Sequence, residues 1–191
     1  MGLGLLIDGI NEVIATTFRN AAPMGIICRD QAARIVMFRG SHTAENIVRD
    51  GWVVANFQFD PVVYVETAFG DLPAAAFVDE EVTGVTMQRL AQTEAWAAYH
   101  AEIERETRDA VIVALSLGKE GVISPVLHPV NRGFNSIIEA TVHATRYQRS
   151  PDKRLQDLIR HHAALVRRCG GPREFEALRL LFRYLDFPDD D

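Results

Sequence analysis

Cysteine is scarce in this chain: Cys28 and Cys169 stand far apart and belong to no C-x-x-C or Cys/His spacing. That excludes a disulfide framework and makes reduced thiols in a cytoplasmic protein the default expectation. Long apolar runs are missing too. No stretch approaches the roughly 18 uninterrupted apolar residues of a membrane span. The apolar start from Met1 to Ile10 carries Asp8 and lacks a Lys/Arg region, so it does not read as a signal peptide. Basic charge is in deficit: 20 Lys and Arg stand against 26 Asp and Glu, for a net charge of −6, and the basic residues form no stripe. A nucleic-acid surface is not expected, and any anion site must be local.

Several catalytic and metal-binding signatures are also absent. Gly2-Leu-Gly4 is not followed by the third glycine and helix of a dinucleotide fingerprint, and Gly118-Lys119 lacks the upstream glycine and the Ser/Thr of a P-loop. There is no Gly-x-Ser-x-Gly elbow. His161 and His162 are adjacent on a helical pattern and point about 100° apart, so they cannot both ligate one metal, and no metal site is expected. No repeat is visible, and the acidic run Asp189 to Asp191 reads as a solubilising tail.

What is present is enough apolar material, 48% of residues, for one good core and a small appended unit. Ile10 to Thr17, Met24 to Cys28, Ala33 to Phe38, Gly51 to Phe57 and Val62 to Phe69 are rich in Val, Ile, Thr and Phe and separated by turn signals, the pattern of an antiparallel barrel or sandwich. Thr43 to Asp50 interrupts them as a short helix, with Ser41 or Thr43 as N-cap and Gly51 just past its end. High helix propensity predicts an inserted helix over about 86–106, followed by a strand from Asp109 to Leu117 and an irregular connection from Gly118 to Gly133. Alternation predicts a strand from Asn135 to Tyr147, placing Glu139, Thr141 and His143 on one polar face. That face reads either as a site or as a solvated or interface surface. Residues 150–191 read as a helical hairpin packed on the barrel: Ser150 caps, Pro151 opens the first helix, Gly170-Gly171 ends it and Pro172 opens the second.

One constellation carries chemistry. Arg39, Gly40, Ser41, Thr43 and Asn46 put a guanidinium, a close backbone and hydroxyls at the start of a helix, where outward N–H groups and the dipole favour an anion such as a phosphate. Asn20-Ala21-Ala22-Pro23-Met24-Gly25 reads as a tight turn exposing backbone groups beside a flat surface, so the rest of a nucleotide-like ligand would lie along a sheet rim. Each piece alone also has a bland reading, as a hairpin turn, an N-cap or a strand-end polar residue.

These segments in this order, with Glu12 to Thr17, Asn56, Asn131-Arg132 and Ile138 to Arg146, resemble a family of proteins of this length from methanogens and methylotrophs, known only as a domain of unknown function. The resemblance covers nearly the whole chain and implies a mainly β fold with α: an FMN-binding split β-barrel related to flavin reductases over residues 1–149, with a helical insertion, and a C-terminal helical hairpin over 150–191. It implies FMN as cofactor and a homodimer with flavin near the interface. The phosphate would fall to Arg39, Gly40, Ser41, Thr43 and Asn46. The ring and ribityl chain would fall to Thr16, Thr17, Asn20, Ala21, Ala22, Pro23, Met24, Gly25 and Asn56, with Asn131 and Arg132 folding over from a loop. A cytoplasmic oxidoreductase acting on a small-molecule electron donor or acceptor is the expected class, and a non-catalytic or sensory flavin module is the alternative. A heme or pyridoxal-phosphate site on the same barrel is a third possibility. The connection Thr17-Phe18-Arg19-Asn20 is shorter than the hairpin turn the family usually has there.

Overall fold

The structure, a computed structural model, describes residues 2–188; the acidic run 189–191 lies outside the described residues. The chain divides into two units. One comprises residues up to Gln58 together with Leu72–Val126, the other Phe59–Asp71 together with the residues from Leu127 on. The boundary expected at residue 150 falls inside the second unit.

The first unit is a closed six-stranded antiparallel barrel in the order β1-β2-β3-β8-β7-β4, built from β1 (Gly9–Thr17), β2 (Asn20–Arg29), β3 (Ala32–Phe38), β4 (Trp52–Phe57), β7 (Ala95–Glu106) and β8 (Ala110–Val122). Two-residue turns set its register. Phe18-Arg19 joins β1 to β2 with Arg19 at φ 51°, and Asp30-Gln31 joins β2 to β3 with φ 50° and 65°, the left-handed pair a tight hairpin needs. Alternation then sorts the side chains. Val13, Ala15, Ile26, Ile35, Met37, Val53, Ala55, Ala97 and Val113 fill the interior. Helix α1 (His42–Asp50) adds Ala44 and Ile47 to that core, and its ends are as expected: Ser41 Oγ accepts from Ala44 N at 3.2 Å and Gly51 turns left-handed at φ 70°.

On the outer face of β4 and β7, Trp52, Val54, Trp96 and Ala98 are buried against Val82 and Met87 of the hairpin β5 (Phe77–Val82) and β6 (Val85–Leu90). The helix expected over 86–106 is therefore two strands. Ala95 to Tyr99 is buried on both faces, where small side chains fit between two apolar layers, and tertiary burial overrides helix propensity. β8 also runs on to Val122, shortening the expected irregular connection.

The second unit is helical: α2 (Pro61–Phe69), α3 (Arg132–Arg149), α4 (Lys153–Cys169) and α5 (Pro172–Tyr184) pack around Val65, Ile137, Ala140, Ala144, Ile159, Ala163 and Leu181. Two expected strands are helices here. Val62 to Phe69 is α2, because Asp60-Pro61 is an N-cap followed by N1 proline, with Asp60 Oδ1 accepting from Val62 N at 3.0 Å. Asn135 to Tyr147 belongs to α3, since Phe134, Ile137, Ala140, Thr141 and Ala144 satisfy the helical period as well as alternation did. The C-terminal hairpin forms as expected around Gly170-Gly171 and Pro172, but Asp152 caps α4 while Ser150 ends α3. Its apolar stripes lie against α2 and α3 within this unit. No helix among the described residues is long and apolar enough to cross a membrane.

Candidate functional site

The ladder between β2 and β3 covers only Ile26 to Arg29: past Ile35, β3 runs on to Phe38 paired with β8 and not with β2. In an antiparallel ladder successive residues turn their N–H and C=O to opposite neighbours. The closing pairs Arg29↔Ala32 and Thr17↔Asn20 both assign the odd-numbered residues of β2 to the β3 side. Ala21 and Gly25 thus aim N–H and C=O off an open sheet edge, and Pro23 aims its C=O there. Proline is tolerated in this strand because its missing donor falls on that edge. The Pro-Met-Gly segment is not the tight turn read from the sequence, but it does present the main chain as an open rim.

At the head of this edge four polar side chains tie the β1–β2 turn to α1. Asn20 Nδ2 donates to Thr43 Oγ1 at 3.0 Å and to Thr17 Oγ1 at 3.4 Å, and Asn46 Nδ2 donates to Thr17 Oγ1 at 2.9 Å and to Phe18 O at 3.3 Å. The amide oxygens of Asn20 and Asn46 receive no donor among the described residues. Ser41 and Thr43 lie at the start of α1. Ala44 N is taken by Ser41 Oγ and Glu45 N by Ser41 O, which leaves the N–H groups of His42 and Thr43 as the orphan donors of the first turn. Gly40, at φ 82°, has open space where a side chain would stand. Arg39 is half exposed and turned aside: its Nη2 lies 3.1 Å from Glu106 Oε2 and its Nη1 donates to Thr107 O at 3.2 Å.

Other expected ligands are spent on the fold. Asn56 is wholly buried. Its Nδ2 donates to Ile14 O at 2.8 Å, Thr16 Oγ1 at 3.0 Å and Val54 O at 3.2 Å, while its Oδ1 accepts from Leu90 N at 2.7 Å. Thr16 Oγ1 in turn donates to Gln88 O at 2.5 Å. Both residues rivet β6 onto the barrel and face no ligand surface. Asn131 caps α3, accepting from Gly133 N at 2.8 Å, and donates to Glu174 Oε1 at 3.2 Å. It and the exposed Arg132 belong to the helical unit.

A cleft of about 760 Å³ opens at the other end of the barrel, lined by Leu5, Leu6, Cys28, Tyr99, Leu115 and Glu120 among others. It does not suit a dianion. Asp8 and Glu120 stand on its walls, Lys119 Nζ is held at 2.9 Å by Glu80 Oε2, and burial, with Glu120 adding to it, pushes the Tyr99 phenol up so that it stays neutral.

In the helical unit the structure assembles a group the sequence reading had split between two segments. Glu139 and His143 are one turn apart on α3, and His162 meets them from α4, whereas Thr141 is buried and donates to Ile137 O at 2.8 Å. Burial pushes both imidazoles below the usual histidine range. Glu139 opposes that shift at each; Arg146 and Arg154 reinforce it at His143, and His143 and His161 reinforce it at His162.

Comparison with known proteins shows the family of the chain. Residues 11–124 match the N-terminal domain model of the DUF447 proteins of unknown function, and residues 131–183 match a second DUF447 model. The FMN-bound DUF447 protein MM1853 of Methanosarcina mazei is 33% identical over 93% of this chain and 96% of its own, with a TM-score of 0.89. The styrene monooxygenase flavin reductase of Pseudomonas putida S12 is 14% identical, over 61% of this chain and 82% of its own, with a TM-score of 0.45. An FMN-binding protein from Thermus thermophilus is 12% identical, over 64% of this chain and 76% of its own, at 0.48. The chain belongs to the DUF447 family.

Proposed function

We propose that this DUF447 member binds FMN along the open edge of β2, with the phosphate at the N-terminus of α1, and acts as an oxidoreductase that cycles the flavin between oxidised and reduced forms. The observation that carries the reading is the main chain from Ala21 to Gly25, paired to β1 on one side and without a β3 partner on the other, beside the first turn of α1. The FMN-bound relative supports the choice of ligand. The residues fit the group: a planar ring needs donors and acceptors along one edge, and a terminal phosphate needs orphan N–H groups and a cation. Ala21 and Gly25 offer the former, with Asn20 and Asn46 amide oxygens close by. His42 N, Thr43 N and the Ser41 hydroxyl offer the latter, and Arg39 completes it on leaving Glu106. When bound, FMN supplies hydride or electron transfer at its ring, with a small-molecule donor or acceptor as partner. This chain's contribution is to bind, orient and shield.

The same reading makes the protein a homodimer. Val36 and Phe38 are about half exposed on the outer face of β3, with Ile112 across the ladder, an apolar surface continuous with the Arg39 turn. Two free cysteines suit a reducing, cytoplasmic compartment. A second reading, in which the flavin is structural or sensory, is favoured by one feature: Thr17, Asn20, Thr43 and Asn46 include no titratable group to serve as an acid or base.

The test is direct. The protein is expected to purify yellow or to quench FMN fluorescence in preference to riboflavin and FAD, and to reduce bound FMN with NADH, NADPH or a reduced deazaflavin. Equal affinity for riboflavin refutes the phosphate placement. Tight FMN binding without reduction by any of these donors leaves the structural reading.

A further inference from the structure

The helical unit holds a cluster that flavin binding does not use. One ligand atom each of Glu139, His143 and His162 lies within 4.8 Å of the other two. The rings of His143 and His162 face each other with centroids 5.5 Å apart and an interplanar angle of 32°. Nδ1 of each is buried and has no hydrogen-bond partner among the described residues. An orphaned buried polar atom is destabilising, and two of them on facing rings are a poor use of a helix pair whose contact is otherwise lined by Ile137, Ala140, Ala144, Ile159 and Ala163. Leucines there would be cheaper. A cation between the three side chains would use lone pairs that are otherwise wasted.

The geometry points to a zinc site bridging α3 and α4, with Glu139, His143 and His162 as its protein ligands. Two imidazoles and a carboxylate are a donor set zinc accepts in four-coordinate sites that keep one position open for water. The helices already supply the spacing: Glu139 and His143 are at i and i+4 on one face, and His162 closes the triangle from the neighbouring helix. Ligand atoms about 2.0–2.2 Å from a tetrahedral zinc lie about 3.3–3.6 Å apart. The three must close by about 1 Å, which side-chain torsions can deliver without moving the backbone. Arg146 and Arg154 act on the site from α3 and α4, and His161 flanks it, so one carboxylate against three nearby basic groups keeps the affinity moderate.

The test uses the full chain, untagged and stripped with chelator. Titration with zinc sulfate against a chromophoric chelator is expected to give one equivalent bound with a micromolar or lower dissociation constant, and zinc is expected to raise the thermal midpoint by mass action. His143→Gln and His162→Gln are each expected to weaken zinc by more than about tenfold, the loss seen even for the outer partners of metal ligands, whereas His161→Gln leaves it unchanged. Metal-free stability of the two glutamine variants, followed in urea, is expected to match or exceed wild type. Should either variant fail to fold, the cobalt-substituted wild type decides: tetrahedral d–d bands support the site, and an octahedral aqua-ion spectrum overturns it. No saturable zinc binding, binding that survives both glutamine variants, or loss on His161→Gln also overturns it. The flavin reading is unaffected by any of these outcomes.

Discussion

Arg39→Ala separates the phosphate from the rest of the flavin. In the structure this guanidinium is engaged by Glu106 Oε2 at 3.1 Å and by the Thr107 carbonyl, and it is half exposed. A surface ion pair of this kind is worth about 0–1 kcal/mol, while hydrogen bonds to a charged partner are worth about 1.5–3 kcal/mol. A bound phosphate should therefore win Arg39 from Glu106 with a net gain of about 0.5–3 kcal/mol, which Arg39→Ala should forfeit as a roughly 2- to 160-fold weaker FMN dissociation constant. Riboflavin, which lacks the phosphate, should be held as by wild type. Glu106→Gln removes the competing anion and should tighten FMN by up to about fivefold, again without effect on riboflavin. Flavin fluorescence quenching titrations on both ligands read all four numbers. Thr43→Val behaves differently. Its hydroxyl is buried and accepts from Asn20, so its loss should cost about 0.5–1.5 kcal/mol for both ligands alike by loosening the turn that the ring edge abuts. Wild-type FMN affinity in Arg39→Ala, or an equal loss for riboflavin, refutes the phosphate placement; weaker FMN binding in Glu106→Gln refutes the exchange of partners.

Asn56→Ala strips four buried hydrogen bonds from the junction of β1, β4 and β6 and should destabilise the barrel by about 2–4 kcal/mol in urea, with flavin affinity of the folded protein unchanged. In the helical unit, Asn131→Ala should cost about 1–2 kcal/mol through the lost cap. Gly133→Ala should cost more than about 2 kcal/mol, because its Cβ would stand 2.5 Å from Gly170 Cα and 2.8 Å from Gly170 N, backbone atoms that cannot turn aside. Intact stability in either variant, by thermal or urea unfolding, contradicts the packing described. The Lys119 ammonium holds the Glu80 carboxyl below the usual carboxylate range against the opposing effect of burial, with Arg89 assisting. Its stabilising contribution is thus complete above the ordinary carboxylate range and lost as pH falls through the depressed value. Urea stability of Glu80→Gln should show a shallower acid limb than wild type, and identical limbs would show that the trio contributes nothing.

The barrel was legible wherever local chemistry and tertiary burial agree. Ala33 to Phe38 alternates, Ile10 to Thr17 is rich in β-branched residues, both are bounded by turn residues, and Ser41 with Gly51 mark the ends of α1 by capping chemistry that needs no partner. Ala95 to Glu106 was misread for a physical reason. Alanine, glutamate and arginine favour a helix in isolation, but this strand lies between two apolar layers where alanine's size decides its place. The site was legible in part. The Asn20 to Gly25 and Arg39 to Asn46 segments do converge, yet only the register shows that the edge proposed for the ligand is an interrupted ladder rather than a turn. Nothing in the sequence shows that Asn56 has spent all its polar capacity inside.

The misreading of α3 hid more than an element. On a strand, Glu139, Thr141 and His143 share a face at a spacing of two, which made Thr141 part of a polar stripe and gave the stripe no partner. On the helix the relevant spacing is four: Thr141 turns into the core and donates to Ile137 O, while Glu139 and His143 fall into line. Because neighbours on a helix point about 100° apart, His161 is left exposed while His162 faces α3. A pattern that reads as one helix face against another supplies three ligands; the same residues read as strand and helix supply none.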